Sequence, residues 1–283
     1  MYATLSTPRP SPLAGRWYPA EPRQLAAQVD RFLDEGAARL PALSGEILGL
    51  VAPHAGIRYS GPVAGTAFAA VRGRAYRYVA VLGPMHYLHP APILTTAHVA
   101  YTTPLGSVPV ATDVLAALDA ALTANLGFGL TPIPQDPEHS LEMELPFLQR
   151  ALAPGFRILP LMLRTVDPRV LHVVGETLAQ QLEPSQDLIV ASSDLSHYFP
   201  QAVAQQLDRE MLRRILALDP LAVLRAEEEG VAQACGRAAI AATLWATRAW
   251  GATQAQLLHY ATSGDVTGDY DAVVGYAAVA ILR

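Results

Sequence analysis

Lysine is absent from this chain of 283 residues, and its 20 basic side chains are all arginine. That absence removes the Schiff-base chemistry of a catalytic lysine, a covalently held pyridoxal phosphate and the lysine of a phosphate-binding P-loop. Cysteine occurs once, at Cys235, so no intrachain disulfide can form. No stretch reaches the roughly 18 uninterrupted apolar residues that a membrane span needs. The opening MYATLSTPRPSPLAGRWYPA has no apolar run behind a basic start, so neither an export signal nor a membrane anchor is expected, and the expected compartment is the cytoplasm. There the thiol of Cys235 stays reduced, free to serve as a ligand or a nucleophile. A concentrated basic field is lacking too. The net charge is -5 and the pI near 5.9, which argues against a nucleic-acid surface.

What is present suits a compact globule: 51% of the residues are apolar and 16% charged, a balance that disordered or coiled chains do not show. The length allows one large core, so a single domain over residues 1–283 is expected. After Pro22, Leu25, Val29, Phe32 and Leu33 recur at helical spacing before Gly36, which predicts an amphipathic opening helix. EILGLVAP from Glu46, YRYVAVLGP from Tyr76, RILPLML from Arg157 and DLIVASS from Asp187 are short apolar runs that predict strands buried on both faces. Helix-like stretches separate them, among them GPVAGTAFAAV and residues 169–182. The chain then turns helical over 208–229 and 235–250 and closes with QLLHYATS and DAVVGYAAVAIL, which should return to the sheet. The alternation predicts an α/β fold, a central mixed and largely parallel sheet flanked by helices.

The polar residues fall where such a sheet collects ligands. His54 follows LGLVAP, His86 follows VAVLGP, and Asp194 with His197 follows LIVASS. In open α/β sheets the crevice outside the carboxyl ends of the strands is the usual binding site, so residues far apart in sequence can converge there. Gly56 and Gly61 are expected to allow tight turns that present His54. One loop histidine is ordinarily a solvated side chain, but two imidazoles from neighbouring strand ends suit a divalent transition metal.

Three further candidates carry alternatives. Cys235, in QACGRAAI, lies before a helix-like run and beside Arg237; the helix dipole and the guanidinium would favour a thiolate, against the plainer reading of an inert buried cysteine. In QDPEHSLEMELPFLQR a helix starting near Glu138 would put His139 and Glu142 on one face, as ligands or simply as acids decorating a helix start. Asp194 and His197, three apart, have the spacing of a carboxylate that orients an imidazole for proton transfer, or of an N-cap beside a surface histidine.

Together GRWYPA, APHAGIRYSG, LGPMHY, DPEHSLEMELPFLQ, SSDLSHY, the CGR at Cys235, YATSGD and VVGYAAVAI resemble the Memo-like family, from about Gly15 to Ile281 and in the same order. In bacteria and archaea that family includes protein B of the AmmeMemoRadiSam system. The resemblance implies the LigB-like fold of class III extradiol dioxygenases. It also implies a metal held by His54, His86 and Cys235, with Asp194, His197 and His139 as pocket residues and candidate catalytic groups. Fe(II) is the expected metal, with copper or zinc as alternatives, and an AMMECR1-like protein and a radical SAM enzyme are the implied partners. Ile57 and Met85 depart from the family's usual aromatic and small polar residue, and are expected to make the pocket more apolar. A His, His, Cys set leaves coordination positions open and suits a soft metal. A non-haem iron or copper redox or oxygenase-type component is therefore expected. The alternatives are a peptide- or protein-binding module using the same cleft, and a zinc hydrolase.

Overall fold

In a computed structural model, residues 5–283 are described; residues 1–4, part of the start read above as lacking an export signal, lie outside them. The strands are β1 (Ile47–Ala52), β2 (Tyr78–Pro84), β3 (Ile93–Thr96), β4 (Ala100–Thr103), β5 (Gly106–Pro109), β6 (Thr131–Ile133), β7 (Arg157–Leu163), β8 (Asp187–Ser192), β9 (His197–Phe199), β10 (Gln254–Thr262) and β11 (Val273–Leu282). The helices are α1 (Pro22–Arg39), α2 (Ile57–Ala69), α3 (Thr112–Leu126), α4 (Leu145–Ala151), α5 (Pro168–Gln181), α6 (Gln201–Leu216), α7 (Pro220–Glu228), α8 (Arg237–Ala249) and the short α9 (Gly264–Thr267). None is long and apolar enough to cross a membrane.

The main sheet runs in the order β10-β11-β1-β8-β2-β7-β3-β6, with β9 added against β11. Its centre, β1-β8-β2-β7, is parallel, while β11, β10 and β3 join antiparallel, so the sheet is mixed and largely parallel as expected. Every residue of β1, β2 and β8 is buried, which is why these strands read as continuous apolar runs rather than as alternation. Two groups of helices flank the sheet: α1 and α2 pack together beside β1, β10 and β11, and α8 packs with α5 over β8 and β2. QLLHYATS and DAVVGYAAVAIL do return to the sheet, as β10 and β11.

Helix α1 begins at Pro22, where a missing N–H costs nothing, and the Glu21 side chain accepts from the Gln24 N–H. It does not stop at Gly36. That glycine lies inside the helix, at the point where α2 crosses, and a Cβ there would meet the Gly65 carbonyl oxygen at 2.6 Å. Gly61 is likewise not a turn residue: it lies in α2 against the ring of Phe32, so it serves packing rather than presentation of His54. Gly56 caps α2 with a negative φ of -49.

The α1–α2 crossing holds the turn between β1 and α2 against the sheet, and it leaves no room for a methyl group. Gly36→Ala or Gly65→Ala is expected to lower stability by about 1–3 kcal/mol, the usual range for overpacking. Urea unfolding would measure it, and an unchanged midpoint would contradict the close approach.

Candidate metal centre

Parallel neighbours β1, β8 and β2 end along one edge of the sheet, with Ala52 in register with Ser192 and Leu82 with Ala191. His54, Asp194 and His86, each two residues beyond its strand, therefore leave that edge side by side. The turn after β1 is fastened by Asp194, whose Oδ1 accepts from the backbone N–H groups of His54 at 2.9 Å and Ala55 at 3.3 Å. Cys235 comes from the segment ahead of α8. Its N–H donates to the Asp194 carbonyl at 3.2 Å, and its sulfur accepts from the Asp194 N–H at 3.3 Å. Gly236 permits this approach, since a Cβ there would meet Ser193 Cβ at 2.6 Å. The result places Cys235 Sγ 3.3 Å from Nε2 of the buried His54.

Two donor groups share His54. Ligand atoms of His54, Asp194 and Cys235 lie within 4.8 Å of one another, and so do those of His54, His86 and His139. The expected set of His54, His86 and Cys235 is thus split between the two groups, with His54 common to both. Ring centroids of His54 stand 5.4 Å from His86 and 5.3 Å from His139, and His86 stacks on His139 at 4.5 Å. Trp17, from the loop ahead of α1, lies against His139 with its ring tilted by 37° and its centroid 4.3 Å away.

Glu138, which composition and spacing did not single out, organises the second group. Its buried carboxylate accepts from the backbone N–H groups of His86, His139 and Ser140 at 2.6, 2.8 and 2.8 Å, and from Nδ1 of His86 at 2.9 Å. Its opposite number under His54 is Ser192, whose hydroxyl lies 2.8 Å from His54 Nδ1. Each imidazole is therefore held by one nitrogen and keeps the other as a donor, the arrangement typical of metal-binding histidines.

Several expectations need correcting. No helix starts near Glu138: residues 138–140 are irregular, a single 3₁₀ turn covers Glu142–Glu144, and α4 follows. His139 and Glu142 consequently do not share a face. His139 turns to the histidines, and Glu142 is buried on Arg9, Ser11 and Tyr18, tying the amino-terminal segment down. Asp194 does not orient His197. Its carboxylate is taken by the turn at His54, while the backbone N–H of His197 donates to Gln233 at 3.0 Å. Ile57 and Met85 belong to the hydrophobic core and do not line the cavity, so they do not change its polarity.

The predicted thiolate at Cys235 is overturned as well. Arg237 is ion-paired with Glu227, and burial followed by the neighbouring Asp194 pushes the thiol well above its ordinary range. Burial, then His139 and His86, holds His54 well below the usual imidazole value, and burial brings His139 down to about 4 against the pull of Glu138. Burial lifts Asp194 to about 7 although two backbone N–H groups oppose it. Burial would also raise Glu138, but its hydrogen bond with His86 and the charges of His86 and His139 outweigh that and hold it at about 2. Burial thus disfavours charge on His54, His139 and Cys235, while Glu138 stays ionised.

A cavity of about 510 Å³ opens over the cluster, bounded by His54, His86, His139, Asp194 and His197 on its floor and by Trp17, Tyr59, Tyr198 and Tyr276 on its walls. Tyr198 is 76% exposed and sits in the left-handed region with φ 62, a conformation that costs a residue other than glycine about 1–2 kcal/mol. It lies where β9 meets an irregularity in β11.

A sequence model described as "Memo-like protein" matches residues 9–280. The chain is 37% identical over 287 residues to a MEMO1 family protein of Methanopyrus kandleri, covering 96% of this chain and 98% of that one. Identity to a MEMO1 family protein of Methanosarcina barkeri is 36% over 271 residues, covering 95% and 98%. For one of Nitrosopumilus maritimus it is 33% over 269 residues, covering 94% and 97%.

Replacing Glu138 by Gln removes a charged acceptor from several buried N–H groups, and is expected to cost about 2–4 kcal/mol of stability. A carboxyl held at about 2 in the fold, below its unfolded value near 4.5, stabilises fully above that value and loses its contribution as pH falls through about 2. The gap between wild type and Glu138→Gln should therefore be constant at neutral pH and shrink below about 4.5, as denaturation at a series of pH values would show.

Proposed function

The chain belongs to the Memo-like family, which shares the LigB-like fold, and from that membership and the donor cluster we propose that it is a transition-metal protein of redox or oxygenase type. Iron(II) is the metal we favour, with copper or zinc next. One observation carries the reading: imidazole, thiol and carboxylate donors from distant parts of the chain come within 4.8 Å of one another around the buried His54. The donors fit such a metal. Nitrogen and sulfur suit iron, copper or zinc and disfavour magnesium or calcium. His54 and Cys235 would hold it, with His86 and Asp194 or His139 completing the set. When bound, the metal would supply electron transfer and a point of attachment for a small reactant.

The remaining chemistry falls to the chain itself. Ser192 and Glu138 fix the two imidazoles by their Nδ1 atoms. Asp194, lifted to about 7, is poised to exchange a proton near neutrality, the condition for efficient acid–base work. His197 lines the same cavity as a second proton carrier. In line with the sequence resemblance, we extend the proposal to partners: an AMMECR1-like protein and a radical SAM enzyme. A second reading, a module that binds a peptide or protein without catalysis, draws support from Tyr198, an exposed aromatic held in a costly conformation at the cavity rim.

Anaerobic reconstitution should load about one iron or copper ion per chain, and His54→Ala or Cys235→Ser should reduce loading at least tenfold while leaving the fold intact by circular dichroism. Because the thiol is protonated without metal, loading should release about one proton per chain and weaken as pH falls, readable by calorimetry in buffers of different ionisation enthalpy. Wild-type protein that takes up no metal, or loading indifferent to His54→Ala, favours the binding module. Zinc-loaded protein with esterase or amidase activity points to a hydrolase.

A further inference from the structure

Beneath His54 the hydroxyl of Ser192 meets three partners: His54 Nδ1 at 2.8 Å, the Ser140 carbonyl oxygen at 2.6 Å and Glu144 Oε1 at 2.6 Å. A serine hydroxyl has one proton to give and two lone pairs with which to accept. The Ser140 carbonyl can only accept, so the serine proton goes there. The other two contacts must then arrive as donors. His54 donates through Nδ1–H, and Glu144 donates through a carboxylic acid O–H. Were Glu144 ionised, either it or the Ser140 carbonyl would face the serine oxygen lone pair to lone pair at 2.6 Å.

A second observation, separate from the proton count, agrees. Glu144 is fully buried, and its other oxygen, Oε2, has no hydrogen-bond partner among the described residues. No arginine or histidine is paired with it there; the nearby charge is Asp194, of the same sign. A buried anion with one hydrogen bond and no counter-charge is a costly arrangement, whereas a neutral acid leaves only an unpartnered carbonyl. Burial and then Asp194, opposed by Ser192, shift the carboxyl well above its ordinary range.

We propose that Glu144 is a positioning residue kept as an uncharged carboxylic acid, which with Ser192 and the Ser140 carbonyl fixes His54 as the Nδ1–H tautomer and leaves its Nε2 bare toward Cys235. The two imidazoles of the site then differ in backing. His86 leans on an ionised carboxylate, Glu138, whereas His54 leans on a neutral hydroxyl and acid. Only the consequence for metal affinity rests on the metal-binding reading above. The protonation state and the tautomer do not.

The test uses the full-length protein without metal. Infrared spectra at neutral pH of protein labelled with ¹³C at the glutamate side chains should contain an isotope-shifted carbonyl band of a protonated acid, and that band should vanish in Glu144→Gln. Nitrogen-15 NMR of labelled histidine should show His54 as the Nδ1–H tautomer in both proteins, because the glutamine amide also donates to Ser192. Iron(II) affinity of Glu144→Gln should stay within about threefold of wild type, whereas Glu138→Gln should lose tenfold or more. An isotope spectrum with ionised glutamate only overturns the proposal, as does His54 protonated at Nε2; the labelled wild-type spectrum decides even if Glu144→Gln does not fold. Loss of iron binding in the wild type, with the acid band and the tautomer as expected, would sink the metal reading and leave this one standing.

Discussion

Parallel pairing of β1, β8 and β2 is the constraint from which the candidate site follows. Neighbouring strands in a sheet stand under 5 Å apart, so side chains that emerge just beyond β8 and either of its neighbours start little more than that distance apart, and those beyond β1 and β2, on either side of β8, about twice that. Residues 54, 86 and 194 are brought to one edge by hydrogen bonds that lie wholly in the buried sheet. The loops then only need to turn the side chains inward. Asp194 does this for His54 through its backbone, and Glu138 does it for His86. Rigidity of the centre is thus inherited from the most buried part of the fold.

Much of this was legible in the sequence because both-face burial leaves a plain mark. An apolar run of six or seven residues ended by a proline or serine and then a histidine or aspartate gives the strand, its end and its candidate donor together. The pairing order was not legible, since it depends on contacts more than a hundred residues apart. Nor were the roles of residues inside one short string. Glu138, His139, Glu142 and Glu144 lie within seven positions, yet one backs His86, one stacks on it, one anchors Arg9 and one is buried under Ser192. Helical periodicity misled there because the segment is irregular and then 3₁₀, with about three residues per turn, before α4 begins. The glycines misled for a related reason: a glycine demanded by a close helix crossing reads the same in sequence as one that ends a helix.

Burial dominates the electrostatics of the centre. It depresses His54 and His139, raises the thiol of Cys235, and lifts Asp194 into the neutral range. Glu138 alone resists, because its hydrogen bond with His86 and the charges of His86 and His139 outweigh its desolvation. Cys235 Sγ and His54 Nε2 face each other at 3.3 Å, so one metal ion in contact with both would satisfy both donors at once and take the place of the thiol proton.

The cavity above the centre carries the complementary argument. Its floor is polar and its walls are aromatic, with no arginine among its lining residues. An anionic ligand would meet no guanidinium there, while a flat or amphiphilic ligand would find Trp17, Tyr59 and Tyr276 along its faces. Trp17 also lies against His139, its ring tilted by 37° at a centroid distance of 4.3 Å, and His139 in turn stacks on His86 and meets His54 edge-on. The segment holding Trp17 is fastened through Ser11 and Tyr18 to Glu142, in the 3₁₀ turn that follows Glu138 and His139, so the aromatic side of the cavity and the histidine loop share one anchor.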